Sequence, residues 1–149
     1  MPEPSSDRLA RATGYTNRLA AGDMTVGDLE HVADPIVITD AELDRPGPII
    51  TAVNTAFERL CGYDRSELLG QSPRLLQGFD TDPVELARMR ESLDTSQVYE
   101  GSVLNYRKSG LEYVIGWVIV PVRDANGAIT QWLSLQNDVL ADARAAQPS

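Results

Sequence analysis

The last third of the chain limits its fold more than any other feature. Three long stretches rich in β-branched and aromatic residues, Val98–Lys108, Tyr113–Val122 and Ile129–Asp138, follow one another there. Ser109-Gly110 and Asp124–Gly127 separate them, and links this short join antiparallel neighbours. Upstream, Ile36–Thr39 and Ile49–Val53 flank Arg45-Pro46-Gly47-Pro48 and predict a strand, a turn and a returning strand. Between the two groups lie short helices with clear punctuation. Asn54 caps a segment that places Phe57, Leu60 and Cys61 on one face and stops at Gly62. Asp64 with Glu67 resembles a capping box and ends at Gly70. Ser72-Pro73 opens a turn through Gln77, stopped by Gly78, and Asp82-Pro83 opens a helix to about Leu93. Two strands, short helices and three strands make an α+β domain with one five-stranded antiparallel sheet and the helices on one face.

Residues 5–22 predict a helix with Leu9, Ala12, Thr16 and Leu19 along one side and Gly22 as its stop. Asp23–Glu30 predicts a second short helix. The stripe is too thin for a free helix, so it docks on the main body or on another chain. The organisation expected is a helical cap over 1–30, the domain over 31–139 and a short tail over 140–149. With so short a tail, signalling through association is expected rather than a covalently attached output.

Composition narrows the function. The 149 residues hold 13 Lys+Arg against 22 Asp+Glu, a net charge of −9. That argues against a nucleic-acid binder, which needs clustered cations. No apolar run approaches a membrane span, and the N-terminus lacks the apolar core of a secretory signal. One cysteine, Cys61, and one histidine, His31, leave no metal cluster and no nucleophile–base pair. A cytoplasmic, non-enzymatic protein is expected.

The informative residues are polar ones in places that disfavour them. Arg74 falls near the start of a short helix, where the macrodipole repels a cation. Arg90 shares the stripe of Leu86, Met89 and Leu93, and a cation there needs an anion. Salt bridges answer that need, and so does a bound phosphate, which suits the forked guanidinium. Asn105 and Gln136 lie within strands, where an amide faces solvent or reads a flat heterocycle. Gln77 closes the Arg74 turn and can reach hydroxyls between ring and phosphate. These five side chains match a ligand with a planar polar ring, a polyol and a phosphate.

The run from Asn54 to Tyr63 and on through Glu67-Leu68-Leu69-Gly70 resembles PAS sensor domains. Gly70-Gln71-Ser72-Pro73-Arg74-Leu75-Leu76-Gln77-Gly78 resembles the G-x-N-C-R-F-L-Q-G stretch of their flavin-binding light-oxygen-voltage (LOV) branch. Asn105-Tyr106-Arg107-Lys108-Ser109-Gly110 and Ser134-Leu135-Gln136-Asn137-Asp138 resemble that branch's N-Y-x-K-x-G and G-V-Q-x-D strands. The likeness runs from about residue 35 to 139. It implies flavin mononucleotide (FMN) as cofactor, with Arg74 and Arg90 on the phosphate, Gln77 on the polar chain, and Asn105 and Gln136 on the ring. Three positions depart from the pattern. Pro73 replaces the photoactive cysteine and offers no nucleophile for a flavin adduct. Ser72 replaces an asparagine, and Ile115 replaces a second ring-binding asparagine, a loss of ~1 kcal/mol or more. Cys61, on the apolar face of its helix, is a packed residue rather than a substitute.

What the resemblance implies is a blue-light or redox sensor acting by flavin photoreduction, with Trp117, Trp132, Tyr106 and Tyr113 as candidate electron donors. A homodimer through the N-terminal helix and the sheet face, and an unidentified downstream signalling protein, are the expected partners. The alternative is a flavin-free PAS module for dimerisation or small-ligand binding, since generic bacterial PAS domains often read N-P-R-x-L-Q here.

Overall fold

The continuous β-branched run of the last third becomes the centre of a five-stranded sheet. In the computed structural model, which describes residues 5–145, the strands are β1 (Ile36–Asp40), β2 (Ile50–Val53), β3 (Tyr99–Tyr106), β4 (Glu112–Arg123) and β5 (Ile129–Asp138). All neighbours are antiparallel, in the order β2-β1-β5-β4-β3. The first and last strands therefore lie side by side. Side chains of β1, β3, β4 and β5 meet on one face as a result.

Strand alternation divides those side chains between two layers. Ile36, Ile38, Val118, Val120, Leu133 and Leu135 point to the outer face, where the helix α1 (Ser5–Ala21) covers them. Leu133 and Leu135 are fully buried, and each contributes roughly 2 kcal/mol by leaving water. Ala12 of α1 is buried against this layer, with Leu9, Tyr15 and Leu19 beside it. So the thin stripe is used on the chain's own sheet. A latch fixes the helix: Arg11 donates to both carboxylate oxygens of Asp34 at 2.9 Å, and the Tyr15 hydroxyl donates to Asp34 at 2.9 Å. Burial works against ionisation of Asp34, but the hydrogen bonds from Arg11 and Tyr15 outweigh it and hold the carboxyl below its usual value.

The inner face carries α2 (Thr55–Cys61), α3 (Arg65–Leu68) and α4 (Pro83–Thr95), with a 3-10 turn at Pro73–Leu76. Asn54 caps α2 by accepting from Phe57 N–H, and Gly62 ends it at φ +81°. The same buried amide accepts from Ile36 N–H and donates to the carbonyls of Leu29 and Asp34. It ties the entry of β1 to α2.

Two expected elements differ. The helix expected over Asp23–Glu30 is a two-turn 3-10 helix, Val26–His31. Gly22 at φ +79° ends α1, Asp23 N–H closes back on Arg18 O, and the following residues only span to that helix. The segment expected as a tail over 140–149 begins as a helix, α5 (Val139–Ala145). Asp138 starts it by accepting from Ala141 N–H at 2.9 Å, the mark of an N-terminal cap. Residues 1–4 of the expected cap and 146–149 of the expected tail lie outside the described residues. Among the described residues no helix is long and apolar enough to cross a membrane.

Candidate functional site

Between the inner face of the sheet and α4 lies an open-mouthed cleft with an interior of about 160 Å³. Its floor comes from alternate positions: Trp132, Ser134 and Gln136 of β5, Trp117 and Ile119 of β4, and Asn105 of β3. Leu86, Met89 and Leu93 of α4 form the facing wall. Arg74, Gln77, Arg90, Asn105 and Gln136 all line this one cleft, and Pro73 lines it as well.

The deep end is polar and unfinished. Gln136 is 2% exposed. Its amide N–H reaches only Ser134 Oγ, at a long 3.4 Å, and its Oε1 is buried without a hydrogen-bond partner. Such an acceptor costs about 1–3 kcal/mol until a donor meets it. Asn105, also buried, pairs across the sheet with Tyr113. Flat apolar walls ending in an unanswered acceptor fit a planar ring with an N–H at its edge.

The mouth is cationic although the whole chain is acidic. Arg74 donates to the carbonyls of Leu43 at 2.9 Å and Gly47 at 3.2 Å, neither of which cancels its charge. Burial first, then the nearby charges of Arg45 and Arg90, pull its pKa below the ordinary value, with Asp44 partly opposing. The Ser72 cap and Pro73 set the 3-10 turn that aims it. Gln77 follows directly, and the next residue, Gly78, lies against the Tyr106 ring where any Cβ would collide. Tyr106 OH in turn accepts from Asp80 N–H at 2.9 Å, so Gln77 sits on a braced loop.

Of the two answers open to Arg90, salt bridges or a bound phosphate, the structure shows the first. Its side chain is 40% exposed and is paired with Asp44 and Asp94, both at 2.9 Å. The Asp44 hydrogen bond is the main reason its pKa is raised. The stripe spacing put Arg90 beside the apolar face, but at its rim a long side chain reaches water. Asp94, one turn on, is visible in the sequence; Asp44, on the distant β1–β2 loop, is not.

Residues 33–141 match the PAS domain family model. The chain belongs to the PAS domain family. Among its relatives are a "Blue-light-activated histidine kinase" of Brucella anthropi, 39% identical over 70% of this chain and 21% of the relative. "Phototropin-2" of Oryza sativa subsp. japonica is 32% identical over 74% of this chain and 12% of the relative. The chain thus spans about a fifth or less of these two relatives. A solved structure described as "Flavin Analogue Sheds Light on Light-Oxygen-Voltage Domain Mechanism" superposes with TM-score 0.72 at 31% identity, covering 85% of this chain and 93% of that one. The LOV domain of the Erythrobacter litoralis blue-light-activated histidine kinase gives TM-score 0.66 at 27% identity, over 73% and 98%. This PAS domain is of the LOV type.

Within it, the four aromatic residues expected as electron donors separate into two pairs. Trp117 and Trp132 line the cleft. Tyr106 and Tyr113 do not: Tyr106 braces the Gln77 loop, and Tyr113 stacks under the Arg107 guanidinium at 4.2 Å. Cys61 is fully buried in a cluster with Phe57 and Leu68, and burial pushes its thiol pKa up. It lies away from the cleft. Ile115 is fully buried beside Trp117. The sequence reading missed Tyr99, whose ring meets Trp117 edge-on with centroids 5.6 Å apart. No local pattern links Tyr99 to Trp117; only the β3–β4 pairing does.

Proposed function

We propose that the cleft binds a flavin non-covalently, most naturally FMN, and that this PAS domain senses blue light or redox state without forming a cysteinyl adduct. The observation that carries the reading is the orphaned Gln136 Oε1 at the deep end of a cleft whose mouth is cationic. A bound flavin supplies blue-light absorption and one-electron redox chemistry. Gln136 and Asn105 would hold the polar edge of the ring, and Leu86, Met89 and Trp117 would exclude water from its faces. Gln77 would take the polyol. Arg74, whose side-chain hydrogen bonds go only to carbonyls, would hold the phosphate, and Arg90 would join after releasing Asp44. Pro73 stands where the resemblance places the photoactive cysteine and offers no thiol.

The output belongs to the same reading. Gln136 precedes Asn137 and Asp138, which bond to Asp142 and Ala141 of α5. A change at the ring edge therefore acts on the base of a terminal helix. A cytoplasmic protein signalling by association, as a homodimer or with a downstream partner, fits this placement. Because α1 already covers its own sheet, a second copy would meet the outward side of α1 or displace it.

A flavin-free PAS module is the second reading, and the two ion pairs of Arg90 favour it. The absorption spectrum of the purified chain, before and after added FMN, separates the two. A yellow protein that bleaches without the adduct's near-ultraviolet band supports the flavin site. A colourless chain that takes up no FMN removes it.

A further inference from the structure

We infer that Trp117, Tyr99 and Glu85 form a proton-coupled electron relay leading from the cleft to the surface, so that Tyr99 is the terminal electron donor of this domain. The inference rests on the flavin reading for its natural oxidant. Its geometry belongs to the chain alone.

Trp117 lines the cleft and is 7% exposed. Behind it Tyr99 is 1% exposed, with the two rings nearly perpendicular in edge contact. The Tyr99 hydroxyl donates to Glu85 Oε2. Glu85 is in turn bound by Arg88 at 2.5 Å, and the Arg88 guanidinium lies 5.0 Å over the Tyr99 ring. Gly101, which pairs with Trp117 across the sheet, makes the room. A Cβ there would strike Tyr99 Oη, and would lie 2.6 Å from both Arg88 Nη2 and Glu85 Oε2.

The electrostatics set each group in a working state. The hydrogen bond from Arg88 keeps Glu85 below the usual carboxyl range, so it is an ionised carboxylate able to accept the proton of an oxidised phenol. Burial, and then Glu85, push the Tyr99 phenol up to about 12, so it holds its proton until it is oxidised. The Trp117 indole N–H faces Tyr99 but makes no hydrogen bond of ordinary geometry, so no base stands ready to take its proton.

In the step itself Trp117 loses one electron to a one-electron oxidant in the cleft, which a bound flavin would supply on excitation, and becomes an indole radical cation with its N–H intact. One electron then passes from Tyr99 to Trp117. The Tyr99 O–H bond breaks and its proton moves to Glu85 Oε2. The products are a neutral tyrosyl radical, a neutral Glu85 carboxyl and a restored Trp117, with the oxidant one electron richer. Moving the proton to Glu85 makes tyrosine a better donor than it is with its proton retained. It also places the oxidised centre one residue farther from the cleft, which slows charge return.

Pulse radiolysis tests the relay without a flavin, using azide radicals as a small oxidant selective for indole. The chain has two tryptophans, so in a Trp132→Phe background only Trp117 is oxidised. Its radical is expected to decay with matching growth of a tyrosyl radical. Adding Tyr99→Phe slows that transfer roughly tenfold or more, equal to about 1.4 kcal/mol of barrier. Glu85→Gln, at a partly exposed residue outside the core, slows it too and alters its solvent isotope effect. Growth that is unchanged by Tyr99→Phe, or a Trp117 radical that decays without any tyrosyl growth, overturns the relay. A chain that takes up no flavin but passes this test keeps the relay and loses the flavin; a yellow chain that fails it does the reverse.

Discussion

Two buried amides of the domain, one at the start of α2 and one in the cleft floor, are satisfied in opposite ways. Asn54, at the edge of the inner layer near β1, and Gln136, in the floor of the cleft, are both 2% exposed. Asn54 makes four hydrogen bonds of 2.8–3.0 Å to backbone groups. Gln136 makes one long bond and leaves its Oε1 unanswered. The outer face, under α1, is filled by aliphatic side chains; its charged latch, Arg11–Asp34–Tyr15, is paired within the chain. Under the proposed flavin reading, the unanswered Gln136 Oε1 is the group that a ligand would meet.

That contrast can be broken at five points. The largest effect is expected from Asn54→Ala, which strands several buried backbone groups and costs roughly 3 kcal/mol or more of stability, read by denaturant unfolding. Arg74→Ala comes next. It lowers affinity for FMN tenfold or more, the scale of a charge-assisted hydrogen bond at about 1.5–3 kcal/mol, while riboflavin, which lacks the phosphate, is bound as before. Arg90→Ala has a smaller effect on FMN, because the phosphate must first displace Asp44. Gln136→Leu sharpens the comparison: the ligand-free chain keeps its stability or gains about 1 kcal/mol, while flavin affinity falls about tenfold.

The smallest effect is at the latch. Asp34 has a folded pKa below its unfolded value, so its contribution is complete above the unfolded pKa and is lost as pH falls through the folded one. Asp34→Asn therefore costs about 1 kcal/mol or less at neutral pH, and the difference from wild type starts to shrink as pH falls below about 4 and disappears only below the lowered folded pKa. Hydrogen exchange of α1 amides across that range is the readout.

What was legible in the sequence follows the range over which each signal acts. The Asn54 cap, the Gly62 stop and the short turns of the last third act over a few residues, and they place α2 and the final meander. Asn105 and Gln136 stood out because an amide in a buried strand conflicts with its neighbours. The second half of the Asn54 network, to Leu29 and Asp34, joins residues 20 or more apart and left no local trace. One of the two ion pairs of Arg90 is hidden for the same reason, since Asp44 reaches it from another loop. Tyr99 and Glu85 lie on a strand and a helix that only the fold brings together. Asp138 both ends β5 and caps α5, and this double role hides the helix behind the strand's own alternation.

The most direct measurement is a titration of ligand-free protein with FMN, followed by quenching of tryptophan fluorescence, because Trp117 and Trp132 both line the cleft. Saturable one-to-one quenching that weakens in Arg74→Ala and in Gln136→Leu is the expected result. Quenching that never saturates, or that is the same in both variants as in the wild type, would contradict a flavin site between the sheet and α4.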